Sequence, residues 1–175
     1  NFAILLFTII LSSCSSDDSS DTAENNFIKV GDSSFEMNAA IVEPSFNSVF
    51  LSLTNKTEAE MTASFEGTTL NNVDLFSVRI THHDLTPNET YDLDDISNVE
   101  FIVNGEIVHS EFENGFSQFY KKGSNADLEL DSGSIVVTDY SVDSISLSFS
   151  FTRGDGTEIK GSYEGSFLYI TSDDE

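Results

Sequence analysis

Histidine, the side chain best suited to proton transfer and metal binding near neutral pH, occurs three times, as the pair His82-His83 followed by Asp84 and as the distant His109. Adjacent residues of a strand point to opposite faces, so His82 and His83 cannot grip one ion from a regular strand. Oxygen ligands are more plentiful. Asp92, Asp94 and Asp95 form one group, Asp127, Glu129 and Asp131 a second, and Asp155 stands between two glycines. Hard cations take such oxygens, yet no stretch matches the twelve-residue calcium loop with its central glycine. The expectation is therefore no cofactor, with calcium as the one cation that has candidate ligands, at Asp92, Asp94 and Asp95. The alternation in 127–131 predicts a strand with an acidic outer face.

Motifs for covalent chemistry fail on inspection. Gly161-Ser162-Tyr163-Glu164-Gly165 puts tyrosine where a nucleophile elbow needs serine. Gly154-Asp155-Gly156 lacks the lysine of a phosphate loop and reads as a hairpin turn. With 31 acidic side chains in the chain, carboxylate pairs arise by chance and do not by themselves signal glycosidic chemistry. Phe112, Phe116, Phe119 and Tyr120 could stack on a sugar, but tryptophan is absent and phenylalanine is the main bulky apolar residue, so they are assigned to the core.

The balance of 31 acidic against 7 basic residues gives a net charge of −24 over 175 residues. Phosphate binding runs on clustered Lys and Arg, and here the seven are scattered from Lys29 to Lys160, which excludes nucleic acid and disfavours anionic lipid surfaces. An apolar content of 38% with 15 Phe and 5 Tyr is enough to fold one domain. Cys14 is the sole cysteine, so no disulfide forms within the chain.

Behind these residues stand elements of period two. Ile145, Leu147, Phe149 and Phe151 alternate with serines and Thr152, and after the turn at 153–157 the inward face resumes with Ile159, Gly161, Tyr163, Gly165, Phe167 and Tyr169. Gly161 and Gly165 on that face leave room for a neighbouring aromatic ring or mark bends in the sheet. A second hairpin is predicted from Val99–Val103, a type I′ turn at Asn104-Gly105, and 106–109. Further strands are predicted at 27–30, 34–43, 48–54, 73–82, 116–121, 126–130 and 134–140, and one short helix within Lys56–Phe65. Roughly nine to eleven short strands with hairpin-length links predict an all-β fold, an antiparallel sandwich or barrel.

Residues 1–11 are an uncharged apolar run, too short to cross a bilayer as a helix and fitted to a signal-peptide core. The run opens on Asn1 with no basic stretch before it, which reads as a chain lacking a few leading residues. Leu11-Ser12-Ser13-Cys14 resembles the lipobox of bacterial lipoproteins, in which the cysteine is lipidated and becomes residue one. Ser15-Ser16-Asp17-Asp18-Ser19-Ser20-Asp21 resembles the Ser/Asp-rich surface-export signal of lipoproteins of the Bacteroidota. Gly133–Tyr140, Ser144–Phe151, Gly161–Phe167 and Pro87–Leu93 are similar to segments of small uncharacterised lipoproteins of that phylum with an all-β domain, although Leu147 and Glu89 stand where many members carry glycine. Asp21-Thr22-Ala23 and Asp143-Ser144-Ile145 resemble short O-glycosylation sites of the same phylum, with Thr22 and Ser144 as acceptors.

These resemblances imply an organisation of signal peptide 1–13, lipidated Cys14 with an acidic tether over 14–26, one β domain over 27–172 and an acidic tail over 173–175. The export residues are Ser15, Ser16, Asp17 and Asp18. A dozen tether residues give an r.m.s. reach of about 20 Å. They imply anchoring in the outer membrane through lipid, facing the medium, and the expectation is a non-catalytic module of unknown ligand that works by binding, with a glycan or an extracellular protein as candidate partners, or by covering the cell surface. The rivals are a lipocalin-like carrier of a small apolar ligand and a small glycan-active hydrolase.

Overall fold

A computed structural model describes residues 26–171. The strands are β1 (Phe27–Val30), β2 (Ser33–Glu36), β3 (Ala39–Ser45), β4 (Ser48–Thr54), β5 (Leu70–Ile80), β6 (Glu89–Asp92), β7 (Ile96–Val108), β8 (Glu111–Glu113), β9 (Phe116–Tyr120), β10 (Leu130–Tyr140), β11 (Ser144–Arg153) and β12 (Glu158–Tyr169). One helix, α1 (Glu58–Phe65), lies between β4 and β5. Of the two architectures expected, the sandwich form is found: twelve strands make one sheet that does not close, nine of them in the order β6-β10-β11-β12-β3-β4-β5-β7-β8, with β1 beside β12, β2 beside β1 and β9 beside β7.

The sheet folds over on itself because the edge of β12 away from β11 is shared by two partners. Its first half pairs antiparallel with β1, Ile159 opposite Val30 and Ser162 opposite Phe27, while its end runs parallel to β3, Phe167 opposite Ala40 and Tyr169 opposite Val42. Gly161 sits in the first half, directly across from Phe149 of β11. A Cβ there would lie 2.2 Å from the Phe149 ring, so glycine is what lets that ring lie flat across the strand. The freed ring stacks on Phe76 of β5, centroids 4.6 Å apart and planes within 6°. Phe101, Phe119 and Phe151 continue the packing between the two halves, and each is essentially buried. The alternation of β11 is thus the inner face of the sandwich, with its serines outward.

A smaller apolar cluster covers the outer face of β3, β5 and β7: Ile41, Val73 and Ile107 under Met61 of α1. The helix starts at Thr57, whose hydroxyl accepts from the Glu60 N–H at 3.3 Å while the Glu60 carboxylate accepts from the Thr57 N–H at 2.9 Å. Those two bonds satisfy orphan groups of the first turn, and they hold the Glu60 carboxyl below its ordinary value, the backbone bond contributing most.

Two sequence expectations are corrected. Asn104-Gly105 is no hairpin turn: β7 runs straight through it, Val103 pairs with Phe116, and the reversal occurs at His109-Ser110, both at positive φ (51° and 66°). Asn104, at φ 55°, instead lies in the irregularity between the Val73–Gly105 and Leu75–Ile102 pairs, where its N–H donates to Asp74 Oδ1 at 2.9 Å. Gly105 is required there because the Phe112 ring would meet a Cβ at 2.2 Å. Of the strand expected over 126–130 only Leu130 is strand, because the Asn125 side chain caps the Asp127 N–H at 3.1 Å and bends Ala126–Leu128 into a 3₁₀ turn ahead of β10. The sheet exceeds the expected count because 34–43 divides into β2 and β3 and because β6 and β8 are separate short strands.

Candidate functional site

The sandwich is unfinished at one end. Strands β10 and β11 meet there in a tight turn built by Ser141, whose N–H donates to the Ser144 carbonyl at 2.9 Å and whose hydroxyl accepts from the Ser144 N–H at 3.1 Å. The same hydroxyl donates to Asp143 Oδ1 at 3.1 Å. With both flanks fixed, Val142 at the tip is 96% exposed. Just inside the turn, Tyr140 stacks on Phe167 of β12 with centroids 5.6 Å apart and planes at 21°, and Phe167 leans on Tyr169 at 6.5 Å. Phe167 is buried, Tyr140 of β10 is half-buried and Tyr169 is 55% exposed, so the rings of β12 pass from core to solvent within two residues. Together with Ser141 and Val142 these rings line an open cleft of about 570 Å³. At the same end, where β3 runs alongside the last residues of β12, the β3–β4 hairpin tip presents Phe46 at 88% exposure.

Acidic groups lie on the other face of the same sheet end. Asp139 and Asp143 flank the turn and, with Ser144, Ser146, Glu164 and Ser166, line a polar cleft of about 470 Å³. Alternation along the strands places that cleft on the outer face, opposite the aromatic one. Burial raises the Tyr140 hydroxyl above its ordinary value, and the negative charges of Tyr169 and Asp84 would add to that effect. Asp84 lies in the β5–β6 loop, which is held by the buried Tyr91: the Thr86 N–H donates to Tyr91 Oη at 2.9 Å. Burial also pushes the Tyr91 hydroxyl up.

The other candidate residues do not converge. His82 packs edge-on against Tyr91 with centroids 5.0 Å apart and faces Asp95 Oδ1 at 3.4 Å, whereas His83 is exposed beside Asp84. The 13-residue β7 separates both from His109. Of the calcium candidates, Asp95 accepts from the Asp92 N–H at 3.1 Å and closes a 3₁₀ turn, while Asp94 points into solvent. Among the described residues no group of three or more His, Cys, Asp or Glu is arranged to hold a metal ion. Glu129 accepts from the Gly123 N–H at 3.0 Å.

Ser162 and Tyr163 lie in regular strand, and Gly154-Asp155-Gly156 is the β11–β12 turn. There the Arg153 guanidinium, donating from Nε at 3.1 Å, and the Thr157 N–H hold the Asp155 carboxyl well below the usual carboxylate range. Phe112, Phe116, Phe119 and Tyr120 form no shared platform: Phe119 is core, Phe112 covers Gly105, Phe116 is 69% exposed and the Tyr120 hydroxyl donates to the Asn125 carbonyl at 3.0 Å. Ser144 stands in the β10–β11 turn with its hydroxyl 2.7 Å from that of Ser141. Cys14, Ser15, Ser16, Asp17, Asp18 and Thr22 lie outside the described residues.

Sequence reasoning missed the aromatic end because Tyr140, Phe167 and Tyr169 fall within alternating strands and read as core. The available signal was Val142, an apolar residue in the otherwise polar turn Ser141-Val142-Asp143-Ser144. Among the described residues no helix is long and apolar enough to cross a membrane. Comparison of the chain with protein-family models, curated proteins and solved structures yields no match.

Proposed function

We propose that this chain is the folded domain of a lipid-anchored outer-membrane lipoprotein that faces the medium and acts there by binding a partner, without catalysis. The anchor is supported by sequence, through the apolar run that ends in Leu11-Ser12-Ser13-Cys14 and the Ser/Asp stretch after it. Binding is supported by the open end, and that observation carries the reading. Soluble domains seldom leave clustered apolar side chains in water unless something covers them, yet the exposed Val142 and Tyr169 line one open cleft with Tyr140 and Phe167. A carrier of an apolar ligand has less to rest on, because the Phe76–Phe149 stack and its neighbours occupy the space between the sheet halves. A hydrolase would have to draw on Asp139, Asp143 and Glu164 of the outer cleft.

Intact cells treated with a membrane-impermeant label or with protease test the reading. The wild-type protein is expected to be reached. Replacing Asp17 and Asp18 by Ala should keep it inside, and Cys14→Ala should release it from membranes. A wild-type protein protected from both reagents contradicts surface display and moves the search to periplasmic partners.

A further inference from the structure

We infer that the free edge of β9 can pair with a second copy of this chain, and that Arg153 and its neighbours are a built-in cover that keeps it single. Among the described residues the sheet ends in four edge strands, β2, β6, β8 and β9. An unpaired strand edge offers its N–H and C=O groups to any other strand, and charged side chains along it discourage that pairing. β2 carries Glu36, β6 carries Glu89 and Asp92, and β8 carries Glu111 and Glu113. β9 alone reads Phe-Ser-Gln-Phe-Tyr, without a charge, in a chain of net charge −24. Uncharged aromatic strands of this kind stack with copies of themselves, and Phe116 is 69% exposed.

Where the other edges carry carboxylates, β9 has its backbone acceptors covered by side chains. Arg153 reaches from β11 across to β9, and its Nη1 donates to the Gln118 carbonyl at 2.8 Å. The guanidinium is aimed by Asp155, which accepts from Nε at 3.1 Å, and by Thr157, whose hydroxyl accepts from Nη2 at 3.2 Å. The Gln118 amide folds back and donates to the Phe116 carbonyl at 3.3 Å. At the other end of the strand Tyr120 bridges to Glu129, and its hydroxyl accepts from the Asn125 N–H at 2.7 Å, which draws the following loop alongside. A carbonyl that already accepts from a guanidinium gains little from a strand N–H, and the covering groups stand where a strand would lie. The inference needs neither the display reading nor the binding reading.

The test uses the full chain carrying Cys14→Ala, which keeps it free of lipid and of thiols, and follows association by sedimentation at raised salt, where repulsion between copies is screened. Arg153→Ala should raise the associated fraction about tenfold, the effect of losing a charge-assisted bond. Gln118→Ala, which uncovers the Phe116 carbonyl at a half-buried position, and Asp155→Asn, which loosens the guanidinium, should each raise it about threefold. Arg79→Ala removes the same charge from an exposed site on β5, an interior strand, and should leave association as it is. Phe116→Lys added to Arg153→Ala puts a charge on the edge and should restore the wild-type state. In the associated protein, amides of 116–120 should gain protection from hydrogen exchange and those of 33–36 should not.

No rise in association with Arg153→Ala and Gln118→Ala overturns the inference. So does an equal rise with Arg79→Ala, which would make the lost charge the cause. Association of Arg153→Ala that Phe116→Lys leaves in place, or that protects β2 rather than β9, means a disturbed fold or another surface and overturns it as well.

Discussion

Phe149 and Tyr169 stand on neighbouring strands of the same sheet half, are both aromatic and both belong to the inward alternation, yet one is 4% exposed and the other 55%. The difference lies in what faces them. Across from Phe149 there is a glycine and then the ring of Phe76, so its stack is complete. Past Tyr169 the strand ends and its last ring partner is Phe167, so the series stops in solvent. One pattern of residues therefore has two outcomes, a core where the sheet halves cover each other and an exposed aromatic surface where they do not.

The comparison is sharpest under substitution. Phe149→Ala removes a ring from the completed stack and should cost about 3–5 kcal/mol in urea unfolding, whereas Tyr169→Ala should change stability by less than about 1 kcal/mol. Equal losses would show that the open end is simply more core. Gly161→Ala forces a methyl group against the Phe149 ring and should cost about 1–3 kcal/mol by overpacking. Thr57→Ala, which strips the cap from α1 on the far side of the sheet, should cost about 1 kcal/mol.

Acid brings a smaller effect with a definite sign. The Asp155 and Glu60 carboxyls are held below their ordinary values in the folded protein, so their stabilisation is present above the unfolded carboxylate pKa of about 4 and fades as pH falls below it. Melting temperature followed from pH 7 to pH 3 should drop less steeply for Asp155→Asn than for wild type, and an unchanged slope would contradict the bond to Arg153. Smallest of all, Val142→Ser should leave unfolding within about 0.5 kcal/mol of wild type.

How far the fold can be read from sequence depends on how local its causes are. The β11–β12 hairpin is legible because Ile145 to Phe151 alternate without a break and Gly156, at φ 84°, takes the turn. The β7–β8 reversal is not, since Asn104-Gly105 carries the usual turn signal while the turn itself falls on His109 and Ser110. What settles that choice is the pairing of Val103 with Phe116, a contact that local propensity does not contain. The parallel join of β12 to β3, which folds the sheet over, is equally remote in sequence. The candidate site was hidden for the same reason: Tyr140, Phe167 and Tyr169 carry the core pattern, and only the place where the facing half stops separates a buried ring from an exposed one. Val142, alone among polar turn residues, was the legible trace.

The most direct test of a surface-displayed domain with a receptive end is thiol labelling at its tip. Cys14 is the only cysteine of the chain, and in a lipid-anchored protein its sulfur is taken up by the thioether to lipid, so Val142→Cys would supply the single free thiol. A membrane-impermeant maleimide added to intact cells should label Val142→Cys as fast as it labels the purified protein, and should not label Leu147→Cys, which lies within the sandwich. A Val142→Cys protein that labels when purified but not on cells would contradict surface display of the open end.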